Sequence, residues 1–187
     1  MAQRFFELAD DRYFPRRWHL DTPTTSEGRK VHDWDFTKGA PVHVEGRLNI
    51  PIEIAGRPLD YCWAGLSIPV VHIRVATVLA ELASHDIQLI PADIDGRPDQ
   101  YLVMVATRLI RCIDEKSSRI RLWTVEDSVP KKVGQYRDVR DLRIDKTKVG
   151  NAQVFRPEGW EVVLIVSEEI KNAMEHLGTT GTRFTEV

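Results

Sequence analysis

IQLIPADIDGRPDQYLVMVATRLI, residues 87–110, sets two apolar stretches on either side of an Asp-Gly pair, and its reading decides the fold. Ile87 to Ile94 and Tyr101 to Ile110 read as strands, and Asp95-Gly96 supplies the residues of a tight hairpin turn. Tyr101 to Ile110 is the most continuous β-type apolar run in the chain, as expected of a strand covered on both faces at the centre of a sheet. Ile120 to Thr124 is expected as its shorter neighbour.

Upstream, Val71, Val75, Val78, Leu79 and Leu82 recur at helical spacing, which predicts an amphipathic helix over Pro69 to Ala83, with Pro69 tolerated near its start. Leu48 to Ile54 and Leu59 to Trp63, joined by Gly56-Arg57-Pro58, read as a hairpin. Gln3 to Leu8 is a short aromatic strand. Arg12 to Leu20 is a second candidate, placed at a sheet edge by Pro15. Between them and the hairpin, residues 21–45 lose periodicity and gather Asp, Thr, Pro, Gly and Ser around Trp34 and Phe36. Loops this long are functional or mobile, so the loop-rich part at about 10–47 is where partner contacts are expected.

Downstream, Val139 to Ile144 alternates and Val162 to Val166 reads as a buried strand. Ser167 is a helix N-cap, with Glu168 and Glu169 at the positive end of the dipole and Ile170, Ala173, Met174 and Leu177 on one face. Gly178 ends that helix, Gly181 turns the chain and Thr182 to Glu186 closes it as a strand. A shift of 95 residues lays Val75 on Ile170, Leu79 on Met174, Leu82 on Leu177 and Leu89 on Phe184, a weak helix-strand repeat. The expected fold is α+β: a mostly antiparallel sheet covered by two amphipathic helices, in a single domain over 1–187.

With 42% hydrophobic and 29% charged residues, the chain can bury a core, which excludes a disordered tail. Its apolar runs are shorter than the roughly 20 residues that span a bilayer. Cys62 and Cys112 have neither zinc nor redox spacing, and the N-terminus lacks an export signal, so a reduced, cytoplasmic protein is expected. The net charge is −2, but residues 108–148 carry twelve Lys or Arg against seven Asp or Glu. That basic segment supports an alternative reading as a small nucleic-acid-binding module.

Chemistry is hard to place on this chain. Six scattered histidines offer no paired metal ligands, and Asp93-Ile94-Asp95-Gly96 lacks the remaining ligands of a calcium loop. There is no glycine-flanked serine elbow, phosphate-cradling loop or dinucleotide fingerprint. No catalytic residue, metal or cofactor is expected. Of the five tryptophans, Trp18 and Trp34 lie in polar, loop-like segments and are the better candidates for interface anchors.

Several blocks together point to a family: Tyr13-Phe14-Pro15-Arg16-Arg17-Trp18-His19-Leu20, Gly56-Arg57-Pro58-Leu59-Asp60, Asp86-Ile87-Gln88-Leu89-Ile90-Pro91, Lys132-Val133-Gly134-Gln135-Tyr136-Arg137 and Gly159-Trp160. In this order, from about residue 3 to the C-terminus, they resemble the immunity proteins numbered family eleven in bacterial polymorphic-toxin systems, a family abundant in myxobacteria. The resemblance implies a non-enzymatic protein that binds and neutralises a cognate toxin, a nuclease encoded nearby, so that kin cells survive. Neither a membrane partner nor a direct nucleic-acid partner is expected. Nuclease toxins carry basic clefts, so the expected contact patch is acidic with an aromatic anchor: Asp10, Asp11, Asp33, Trp34 and Asp35.

Overall fold

The computed structural model describes residues 3–187; Met1 and Ala2 of the N-terminal reading lie outside them. In chain order the first strands are β1 (Phe5–Asp10), β2 (His19–Leu20), β3 (Leu48–Ile50), β4 (Ile52–Ile54), β5 (Tyr61–Ala64) and β6 (Ile68–His72). Helix α1 (Ile73–Leu82), β7 (Ile87–Ile94), β8 (Arg97–Ala106) and β9 (Leu109–Ile110) follow. After β10 (Arg119–Leu122) and β11 (Tyr136–Arg140) come β12 (Val154–Pro157), β13 (Ile165–Ser167), α2 (Glu168–His176) and β14 (Thr182–Glu186).

The expected hairpin is β7–β8, with Ile87 opposite Ala106 and Ile94 opposite Arg97, but its second strand runs from Arg97 to Ala106, and Leu109–Ile110, expected in the same strand, pairs with β12 in another sheet. Gly96 takes the left-handed turn position at φ 73°. Along β8, Tyr101, Val103 and Val105 face one core while Leu102, Met104 and Ala106 face another, so the strand is covered on both sides. It sits inside a seven-stranded sheet of order β3-β7-β8-β6-β5-β2-β4. The two edge strands, β3 and β4, are separated in sequence only by Pro51, and this link curls the sheet into a nearly closed barrel. Trp18, Phe36, Leu48, Ile50, Cys62, Val70 and Val103 are among the side chains that fill it.

Several sequence expectations change here. Pro69 to His72 is strand and not helix. Ile68, Val70 and Val71 are each fully buried, with Val70 in the barrel core and Val71 in the helix layer, so an all-apolar β-branched run satisfies a strand buried on both faces. Helical spacing governs only from Ile73, and the His72 imidazole caps that helix by accepting the Arg74 N–H at 3.3 Å. The 48–54 and 59–63 segments do not pair with each other. Proline 51 breaks the first into β3, which runs parallel to β7, and β4, which pairs with β2, while β5 takes β6 and β2. β2 is therefore internal, and Pro15 lies in the turn before it. Ile120 does not neighbour β8; β10 and β11 form a separate two-stranded ribbon. The sequence reading also missed β12, whose Arg156-Pro157 end hides the pattern.

The 95-residue repeat is real in three dimensions. β6-α1-β7 and β13-α2-β14 are both strand–helix–strand units in which the two strands flank a third, antiparallel one: β8 in the first, β1 in the second. The registers match. Val71 faces Leu102 and Val166 faces Phe6, while Leu89 faces Met104 and Phe184 faces Leu8. His72 caps the first helix, and Ser167, 95 residues later, caps the second by accepting the Ile170 N–H at 3.3 Å. Val75, Leu79, Ile170 and Met174 share one core between the sheets. The second unit belongs to a five-stranded sheet, β14-β1-β13-β12-β9, whose other face packs Phe5 edge-on against Phe155 over Cys112, Val149 and Ala152. The class is thus α+β, with mostly antiparallel pairs.

Candidate functional site

The two thiols belong to the cores. Burial pushes Cys62 up to about 12 and Cys112 up to about 11, far from a nucleophilic thiolate at neutral pH. Among the described residues, no three His, Cys, Asp or Glu side chains converge in a way that could hold a metal. No helix among them is long and apolar enough to cross a membrane.

The nominated acidic and aromatic residues have different fates. Asp10 is 7% exposed and ion-paired with the buried Arg17 at 2.5 Å, so its carboxylate is already engaged within the fold. The same guanidinium donates to the Asp11 and Trp18 carbonyls at 2.8 and 3.1 Å, while the Asp11 carboxylate accepts the Tyr13 N–H at 3.1 Å. Trp18 is likewise no anchor: it lies in the barrel core, tilted against Tyr101 with ring centroids 5.3 Å apart. Its polar neighbours Arg16, Arg17 and His19 made it look exposed.

Residues 33–36 form one 3-10 turn that sets the other three nominees on the surface. Asp33 accepts the Leu66 and Ser67 N–H groups at 2.6 and 3.1 Å and so clamps the β5–β6 turn. Gly65 in that turn has φ 59°, and a Cβ there would meet the Asp33 carboxylate at 2.9 Å. Trp34 is 62% exposed and stacks flat on His32, with centroids 4.7 Å apart and planes 7° from parallel. Asp35 pairs with Lys38 at 2.5 Å. Leu66 of the β5–β6 turn also lines a cleft of about 300 Å³ together with Asp10 and Arg17. Leu66, 77% exposed, is the surface residue the sequence reading missed. Its only signal was an apolar side chain in a Gly-Leu-Ser turn.

The surrounding loop is irregular but pinned. The Gln88 side-chain amide exchanges two 2.8 Å hydrogen bonds with the Val42 backbone, and Thr24 and Asn49 exchange backbone bonds of 2.7 and 2.8 Å. Arg47 forks onto Asp93 at 2.9 and 3.0 Å. Between the two arms of this loop lies a groove of about 270 Å³. Val31, Val42 and Val44 form its apolar floor, packed with Phe36 on the barrel core. Glu27, Asp35, Glu45 and Arg29 stand around it.

Four of the twelve cations of the basic segment are paired with acids of the same segment. Arg119 pairs with Asp141 at 2.6 Å, Arg140 with Asp138 at 2.8 Å, Lys148 with Asp145 at 3.5 Å, and Arg137 with Asp127. Lys132 and Arg137 also lie over Trp123, 5.1 and 4.6 Å from its ring. At the ribbon's end Leu122, Val125 and Val133 are exposed.

Comparison with known families matches residues 11–187 to an immunity protein family, Imm11. No curated protein matches the sequence.

Proposed function

The chain belongs to the Imm11 immunity protein family of non-enzymatic toxin inhibitors, and from that premise we propose that it neutralises a nuclease toxin encoded beside it, in the cytoplasm, so that kin cells survive. It acts as one domain over 1–187 and inhibits by occupying the toxin's surface. The contact face is the pinned 21–47 loop together with the β5–β6 turn, with Trp34 and Leu66 as anchors and Asp35 at their side. The observation that carries this is Trp34: a large aromatic left 62% exposed on a turn whose neighbours are hydrogen-bonded in place. A rigid exposed aromatic beside carboxylates suits a basic cleft, because its ordering cost is already met and opposite charge speeds encounter. Asp33 contributes by holding Leu66 in position.

Co-expression with the neighbouring toxin tests this. Wild-type protein is expected to restore growth and co-purify with the toxin. Trp34→Ala is expected to cost about 2 kcal/mol, roughly a 30-fold loss of affinity, while Val125→Asp at the ribbon end leaves binding unchanged. A toxin that kills equally with and without the protein removes the reading. Full rescue by the Trp34→Ala and Leu66→Asp double variant, with loss in Val125→Asp, moves the contact face to the ribbon.

A further inference from the structure

We propose that the groove between the arms of the 21–47 loop is a receptor for one basic side chain, a lysine or arginine projecting from the toxin. This rests on the toxin-binding reading and adds the chemistry of one contact to it. The groove combines two features that such a side chain needs. Val31, Val42 and Val44 give an apolar floor for the aliphatic stem, and that floor is backed by the barrel core, so it does not collapse when empty. Glu27, Asp35 and Glu45 stand at the rim against Arg29, with Lys38 beside Asp35, so carboxylates outnumber cations there. Glu45 is exposed and makes no ion pair or hydrogen bond among the described residues, so its carboxylate is available to an incoming charge. Glu27 and Asp35 are held by Arg29 and Lys38 at 2.6 and 2.5 Å, but these partners are mostly exposed, and such pairs exchange at little cost. The volume, about 270 Å³, accommodates one long side chain. The His32 ring that supports Trp34 also lines the groove, which places the basic side chain next to the aromatic anchor in one continuous contact.

Nuclear magnetic resonance of the Val31, Val42 and Val44 methyl groups tests the groove without the toxin. N-acetyl-arginine amide and N-acetyl-lysine amide are expected to shift these signals saturably, with a dissociation constant on the order of 1–10 mM. The neutral isostere N-acetyl-citrulline amide is expected to bind at least about tenfold more weakly. Equal shifts with the neutral analogue, no shift with either cation, or a response to calcium ion alone overturn the proposal. In the complex, a Glu45→Gln and Asp35→Asn double variant is expected to lose about tenfold in toxin affinity. Toxin binding unaffected by the double variant overturns the groove and leaves the inhibitor reading standing. If the toxin does not bind wild-type protein, that reading falls, and the methyl titration decides the groove alone.

Discussion

Asp60 ties the barrel to the loop after α2 through one carboxylate. Arg74 forks onto it with two bonds of 2.8 Å, and Thr180 donates its N–H and O–H at 2.9 and 2.7 Å. Burial alone raises the pKa of this group, but the guanidinium and the Thr180 donors outweigh it and hold the carboxyl down at about 2. A folded pKa below the unfolded value of about 3.9 means that the stabilisation is complete above that value and is lost as pH falls from about 4 through 2. Asp60→Asn is therefore expected to lower stability by about 1–2 kcal/mol at pH 7, discounted because Arg74 is partly exposed. In urea titrations the difference from wild type should shrink as pH falls to 2; a constant difference across that range contradicts the assignment. None of this was legible in the sequence, where Asp60 read only as part of the Leu59 to Trp63 strand, because its partner Thr180 lies 120 residues away.

The elements divide into those whose pattern had one meaning and those whose pattern had two. β7, β8, α2 and β14 were legible because alternation, a turn pair and a serine cap left no other reading. Pro69 to His72 was misread because apolar residues buried on two faces show no period, so length and β-branching had to decide. The β10–β11 ribbon was given the wrong partner, since an exposed strand pair closed by the Trp123–Gln135 and Gly134–Trp123 backbone bonds has the same local pattern as a sheet neighbour. That ribbon carries the nucleic-acid alternative, and its internal ion pairs argue against it. The protein is expected to elute from heparin by about 0.15 M salt, with no step in retention on adding Arg121→Glu. Retention well above that salt, removed by Arg121→Glu, would restore the alternative.

At the scale of the whole molecule, two strand–helix–strand units in matching register share one core between two sheets. Asp86 reinforces the junction by accepting the Gln153 N–H at 2.6 Å and pairing with Arg108 at 3.3 Å. With the layers joined in this way, 1–187 is expected to unfold in one transition, with tryptophan fluorescence and far-ultraviolet circular dichroism coinciding in urea. Leu79→Ala and Met174→Ala, on opposite sides of the shared core, are each expected to cost about 2–5 kcal/mol and to shift both signals together. Separate transitions would show that the two sheets are independent domains. The sequence by itself determined the fold class, the helical repeat, the hairpin and the family, because each rests on residues near one another or on their order along the chain. Tertiary structure alone decided that Asp10 and Trp18 turn inward, that Leu66 turns outward, and that a groove opens beside Trp34. Exposure depends on what distant segments cover, and a linear pattern of polar neighbours does not record it.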